Sequence, residues 1–313
     1  MGRRKRDTIE FRFYEVPQGQ DCLALLGESW IRVYGIDEKY LHFHNLFEVG
    51  YCRNGKGDLV LDEEVRKYET AMFSIIPANY PHTTLSPVAN FWEYLFFDVD
   101  QILRLIYPGN PTKQREAAEI IDKNADLIYE YEHPEMAEVI KRIMEEMRDK
   151  KPYYIETTQN LLKAFVLMLI RYQSQKEEAR KISVDGDDGS AMMLIRPALE
   201  YIDKNYPEPI KVSELAHCCN ISEPHFRRIF VDTINMSPID YLNLVRIQNA
   251  CKIMNKTDHS MEVVASECGF STFSTFNRNF RKFLDTSPYQ WKKNKDNYEN
   301  KLLNYNINAL KGW

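Results

Sequence analysis

Apolar positions change their rhythm twice along this chain. From residue 9 to residue 100 they come in short runs set apart by turn-forming residues: Phe47-Glu48-Val49-Gly50-Tyr51, Asp58-Leu59-Val60-Leu61, Ala71-Met72-Phe73-Ser74-Ile75-Ile76 and Phe91-Trp92-Glu93-Tyr94-Leu95-Phe96-Phe97. Short runs of this kind, alternating or wholly apolar, read as β-strands. The first two flank Arg53-Asn54-Gly55-Lys56-Gly57, which predicts a hairpin with glycine at a position of positive φ. Pro77, Pro81 and Pro87 punctuate the loops that follow. Many short strands at this spacing predict a sandwich or barrel.

From about Lys113 the period becomes helical. Ala117, Ile120, Ile121, Asn124, Leu127 and Ile128 form one stripe, and Met136, Val139, Ile140, Ile143 and Met147 a second. Thr158 to Tyr172 forms a third, with Leu161, Leu162, Phe165, Val166, Leu169 and Ile170 apolar. Such stripes either pack within the chain or offer a dimer face, and the pattern does not separate the two. Ser174 to Gly189 then loses the period, is polar and carries two glycines, which predicts a flexible linker. From Ala191 to about Lys293 the chain reads as helical throughout. The expected division is a β domain at 1–112, a helical extension serving dimerisation at 113–173, a linker at 174–190, a helical domain at 191–293 and a tail at 294–313.

The helical domain contains a repeat of about fifty residues. Its first copy runs through Ala216, Cys219-Asn220-Ile221-Ser222, Phe226, Arg228, Phe230 and Ser237-Pro238; the second through Ala265, Cys268-Gly269-Phe270-Ser271, Phe276, Arg278, Phe280 and Ser287-Pro288. Each copy has the parts of a helix-turn-helix. A small residue lets a second helix approach, and Asn220 or Gly269 tolerates a left-handed turn. Ser222 and Ser271 are the expected caps of the second helix, whose phenylalanines at i and i+4 face the core. Pro224, Arg227 and Arg228 in the first copy, and Ser274, Thr275, Asn277 and Arg278 in the second, then face outward as candidate contacts to the major groove. Pro238 to Lys256 holds the copies apart, so that two recognition helices address successive grooves about 34 Å apart.

These residues resemble the DNA-binding domain of AraC-type transcription regulators across 191–293. Arg246 and Ala250 also fit that family's pattern. Its units end in a glycine-containing turn before Ser-Pro; here Asn235 and Asp285 stand at the glycine positions, and both tolerate a left-handed backbone. The resemblance implies regulation of carbohydrate use or another small-molecule pathway; with the 113–173 helices as a dimer face, a homodimer on double-stranded DNA is expected.

Charge fits that division of labour. The chain has a formal net charge of −5. Residues 191–313 carry 16 basic against 13 acidic side chains, net +3, and residues 1–190 carry 25 against 33, net −8. The acidic half is therefore not expected to bind a polyanion. The six cysteines, Cys22, Cys52, Cys218, Cys219, Cys251 and Cys268, form no C-x-x-C pair and read as buried thiols in a reducing compartment. No apolar stretch follows the basic Met1–Arg6 segment, and Ala164 to Ile170 is too short to span a bilayer, so a soluble, cytoplasmic chain without a membrane partner is expected.

One constellation in the β region can carry chemistry. His42-Phe43-His44, Glu48, Gly55, Pro77 and His82 match the spacing of the cupin motifs, and on a strand His42 and His44 point to one face. The match suggests a small cupin-like barrel, which AraC-type regulators commonly carry as an effector sensor, often without metal. Three readings stand: His42, His44, Glu48 and His82 hydrogen-bond a polar effector; they hold Fe, Mn, Ni or Zn; or they are satisfied structural groups. Tyr51, Trp92 and Tyr94 are candidates to stack on a sugar face, or they belong, as Phe96 does, to the alternating core.

The whole predicts a mixed, two-domain chain: an N-terminal cupin-like β-barrel followed by helices, and a C-terminal all-α domain with two helix-turn-helix units. The expected function is sequence-specific transcription regulation controlled by a small-molecule effector, a carbohydrate, with no catalytic residue, cofactor or bound metal. The alternative is a metal-dependent cupin enzyme fused to a DNA-binding domain.

Overall fold

The computed structural model describes residues 10–17, 19–35, 41–182, 191–234 and 236–293. The chain divides into two compact units, residues 14–188 and residues 189–311, the first thirteen residues grouping with the latter. Among the described residues no helix is long and apolar enough to cross a membrane.

After β1 (Glu10–Arg12), the β unit contains β2 (Cys22–Leu25), β3 (Ile31–Arg32), β4 (His42–His44), β5 (Phe47–Asn54), β6 (Lys56–Leu61), β7 (Glu64–Glu69), β8 (Met72–Ile76), β9 (His82–Leu85), β10 (Asn90–Phe97) and β11 (Asp126–Tyr129). They pair in two sheets, one containing β4-β9-β6-β7 and the other running β11-β8-β5-β10-β2, with β3 also on β10. The expected closed barrel is not what the pairing gives: the sheets are separate and face one another.

Helices cover the outer side of the second sheet: α1 (Val99–Ile106), α2 (Pro111–Ile121), α3 (Pro134–Asp149) and α4 (Tyr154–Ile182). The alternation of β5 and β10 explains this layering. Phe47, Val49, Leu95 and Phe97 join Ile102, Ile140, Phe165 and Leu169 in one core. Glu48, Trp92, Tyr94 and Phe96, at the intervening positions, are equally buried but point toward the other sheet. Strands buried on both faces read as continuous apolar runs, as β10 does.

Three expectations change. Arg53–Gly57 is not a hairpin: β5 pairs with β8 and β10, whereas β6 pairs with β7 and β9. Gly55, at φ 122°, is where the chain crosses between sheets, and the Asn90 side chain fills the space a Cβ would need. Leu127 and Ile128 belong to β11, which pairs with β8, because α2 ends at Ile121. Residues 174–182 are not linker, since α4 continues to Ile182; residues 183–190 and the tail at 294–313 lie outside the described residues.

The helical unit comprises α5 (Ala191–Asn205), α6 (Val212–Cys218), α7 (Glu223–Ile234), α8 (Pro238–Lys256), α9 (Met261–Glu267), α10 (Phe273–Leu284) and α11 (Pro288–Lys293).

A buried charge ties β10 to the helical layer. Glu93 is fully buried and accepts from Arg53 Nε (2.8 Å), Arg148 Nη2 (2.7 Å) and the Gly27 amide (2.9 Å). Burial works to raise its pKa, but Arg148, the Gly27 amide and Arg53 outweigh that and bring it below the ordinary carboxylate range. A depressed pKa contributes stability above the unfolded value that is lost as pH falls through the folded one. Glu93→Ala is therefore expected to destabilise the β unit by about 3–5 kcal/mol at neutral pH and to flatten its loss of stability in acid, measured by urea unfolding at pH 7 and pH 4.

Candidate functional sites

In each helix-turn-helix the same local bonds make the turn. Cys219 and Cys268 end their helices by donating to Leu215 and Val264, and Asn220 and Gly269 adopt φ 55° and 81°. Ile221 N–H then reaches back to the Ala216 carbonyl (3.1 Å), as Phe270 N–H does to that of Ala265 (2.9 Å). On the second helices, Phe226 and Phe230 stand 5.3 Å apart between ring centroids and Phe276 and Phe280 5.5 Å, all four fully buried. That burial fixes which side of α7 and α10 faces solvent. Asp285 closes α10 in the left-handed conformation, as expected of it; Asn235 lies outside the described residues.

The second cluster lies between the two sheets. His42 pairs in register with His82, and their rings lie 4.2 Å apart. The His44 ring lies 4.9 Å from that of His82, and its Nε2 is 3.1 Å from Glu48 Oε2; His82 Nε2 is 3.5 Å from the same oxygen. All four residues are at most 2% exposed. Burial acts to raise the Glu48 carboxyl, yet the charge of His82 and hydrogen bonds from both imidazoles hold it down at about 2. Burial lowers the His44 pKa against the pull of Glu48.

The backbone decides the tautomers. His44 Nδ1 lies 2.8 Å from the Leu46 carbonyl and His82 Nδ1 2.9 Å from that of Tyr80. A carbonyl only accepts, so both Nδ1 atoms carry hydrogen, and in neutral rings both Nε2 lone pairs aim at Glu48. The ligand atoms of His44, Glu48 and His82 all lie within 4.8 Å of one another.

Residues 215–294 match the family model described as a helix-turn-helix domain. An uncharacterized HTH-type transcriptional regulator of Staphylococcus aureus is 26% identical over 136 residues, 44% of this chain and 17% of its own length. The chain thus matches only a small part of that relative. A probable AraC family transcriptional regulator from Rhodopseudomonas palustris is 26% identical, with TM-score 0.31, covering 32% of this chain and 94% of its own. ToxT from Vibrio cholerae is 13% identical, with TM-score 0.40, covering 87% and 96%. The C-terminal region of this chain is a helix-turn-helix domain. Its relatives are transcription regulators, not enzymes.

The residues that the sequence pattern set outward in this domain differ in exposure. Pro224, Arg227, Arg228, Ser274 and Arg278 are exposed; Thr275 and Asn277 are half-buried. One participant went unread: Glu223, one turn before Arg227, accepts from its Nε at 2.9 Å and its Nη2 at 2.7 Å. The i, i+4 spacing was the available signal.

The inter-sheet residues divide. Phe96 touches both His44 (5.3 Å) and Tyr14 (4.3 Å), while Tyr94 and then Trp92 continue the same face of β10. Trp92 stands further off, against Tyr68 and Gly50. Tyr51 is on the opposite face of β5, in the helix-side core, with its hydroxyl donating to Glu130. It does not join the histidines, because an odd step along a strand reverses the side.

The second cap is also one residue later than expected. Thr272, not Ser271, is the N-cap of α10, its hydroxyl accepting from Thr275 N–H at 3.2 Å. Thr272→Ala is expected to cost the domain about 1 kcal/mol. Ser271→Ala should change it by less than about 0.5 kcal/mol. Thermal unfolding of the two variants checks the difference.

Proposed function

We propose that the chain is a transcription regulator whose AraC-type domain reads double-stranded DNA through α7 and α10, and whose β unit binds a small-molecule effector between its sheets. The observation that carries the first half is the pair of matched turns, which leaves Arg227, Arg228, Asn277 and Arg278 on the sides of two helices opposite their phenylalanines. A cytoplasmic location follows from that role. Arg227→Ala is expected to weaken binding to a selected DNA site by about 1–3 kcal/mol and to relax preference at one base. Fluorescence anisotropy over single-base variants measures both, and unchanged affinity with unchanged preference overturns the assignment.

For the second half, support comes from a cupin-like arrangement. His42, His44, Glu48 and His82 offer donors and acceptors beside Tyr14, Tyr94 and Phe96, the combination that suits a sugar, with hydroxyls to satisfy and an apolar ring face to stack. The effector acts by binding one dimer geometry more tightly than another. Leu167 and Ile155, 43% and 36% exposed on α4 outside the side that Leu162, Phe165, Val166 and Leu169 bury in the core, favour the 113–173 helices as the dimer face.

A second reading of the same cluster is a divalent metal held by His44, Glu48 and His82. Two bare Nε2 lone pairs and an ionised carboxylate converging on one point call for a cation between them. Imidazoles whose other nitrogen donates to a backbone carbonyl are oriented as metal ligands are. A metal there would supply positive charge and an open coordination position for a ligand oxygen. Elemental analysis of the chain purified without a histidine tag, paired with thermal shift over a sugar panel, separates the readings. About one equivalent of metal establishes the second. Metal-free protein whose melting rises with a sugar, by about 2.7 kcal/mol at 100 times its Kd, establishes the first.

A further inference from the structure

The turn after α5, Tyr206-Pro207-Glu208, belongs by sequence to the first helix-turn-helix copy, since α5 packs on α6 and α7. Three features seat it on the second copy instead. Arg246 of α8 is buried, and donates from Nε to the Tyr206 carbonyl and from Nη2 to the Glu208 carbonyl, each at 2.7 Å. Its guanidinium stands 5.7 Å from the ring centroid of Phe270, the residue that follows the second turn. Tyr206 packs against the core that Phe270, Phe276, Phe280 and Trp291 form.

Gly269 is the third. A Cβ there would overlap the Pro207 carbonyl oxygen and come within 2.8 Å of the Pro207 carbonyl carbon and 2.9 Å of the Tyr206 carbonyl oxygen. Its φ of 81° alone does not require glycine, because Asn220 holds the matching position of the first copy at φ 55° with its side chain exposed. Glycine is required at 269 by the approach of the 206–208 backbone.

We propose that this contact is a clasp that sets the separation and angle of the two recognition helices, so that Arg246 and Gly269 are positioning residues for the spacing of two DNA half-sites. The proposal rests on the DNA-binding reading above. With α8 as the main connection the copies would share the flexibility of that helix, because long helices bend. A second point of attachment removes that freedom. Arg246 suits it: a charged fork reaching two carbonyls of one turn fixes both position and direction, and charge-assisted hydrogen bonds are about twice as strong as neutral ones.

The test uses the full-length chain. Duplexes enriched by the wild type from a random double-stranded library supply the probe, compared with the same duplex carrying one base pair more or fewer between half-sites. One base pair moves a half-site by about 3.4 Å and about 35°, so the wild type is expected to lose about tenfold or more on either altered duplex. Arg246→Met keeps an apolar stem without the fork. Gly269→Asn keeps a residue that tolerates the turn but adds the side chain. Both are expected to bind the three duplexes within about threefold of one another, whereas Asn220→Gly, at the turn with no clasp, keeps the wild-type discrimination. Arg246→Lys, which restores a single bond, is expected to fall between.

Variants that retain the wild-type spacing preference overturn the clasp, as do variants weakened by one common factor on all three duplexes. Loss of the cooperative melt of the domain in both Arg246→Met and Gly269→Asn also overturns it, since the contact then serves stability alone. A wild type that enriches no duplex overturns the DNA-binding reading, and the clasp with it; enrichment with unchanged discrimination overturns the clasp only.

Discussion

One left-handed residue in each copy carries the architecture of the helical unit. The chain leaves a seven-residue helix, takes a positive φ at Asn220 or Gly269, and at once bonds back to the carbonyl of Ala216 or Ala265. Everything downstream inherits its direction from that step: the start of α7 and α10, the inward side of each phenylalanine pair, and hence the outward side that carries arginine and asparagine. The alanines matter for the same reason, since a larger side chain there would stand where the second helix has to pass. Backbone sterics, more than any side-chain contact, decide where the polar surface of this domain lies.

Where the sequence carried a repeated local signal, the fold was legible. Turn and phenylalanine spacing occur twice, so each copy checks the other; the cap, which shifts by one residue to Thr272 in the second copy, did not. Single signals fared worse. Gly55 advertised a positive φ and has one, but which strands flank it depends on partners far along the chain, and β5 and β6 go to different sheets. The polar stretch after Tyr172 lost its apolar period although the helix runs on to Ile182, and its first turn there makes a polar contact, Lys176 to Asp126. Leu127 and Ile128 fell into step with a helical stripe by coincidence; β8 offered an open edge, and pairing with it won. For the polar cluster, the spacing of His42, His44, Glu48 and His82 was readable, but Tyr51 was placed by proximity in sequence rather than by the side of the strand. Tyr14, which meets both His44 and Phe96, had no local signal at all.

The β unit shows what two-sided burial costs. β5 and β10 give one face to the helices and the other to the facing sheet, so Glu48 and Glu93 are both removed from water, on opposite faces. Glu93 is answered by two arginines and a backbone amide and is fully satisfied. Glu48 faces the Nε2 atoms of His44 and His82, whose Nδ1 hydrogens go to backbone carbonyls, so these rings donate to it only in their protonated form. Identical side chains at like burial are thus held ionised by different partners, one by arginines that are always charged and one by imidazoles whose charge depends on pH.

α7 and α10 differ in their own charge, although each has a basic residue in an ion pair, Arg227 with Glu223 and Lys282 with Asp240. α10 carries Arg278, Arg281 and Lys282 with no acidic residue, whereas α7 balances Arg227 and Arg228 with Glu223 and Asp232. Counterion release scales with the phosphates that a basic surface neutralises. On the proposed DNA-binding role, raising the ionic strength would loosen the grip of α10 on the backbone faster than that of α7, and the ratio of their contributions would become a function of the salt around the molecule.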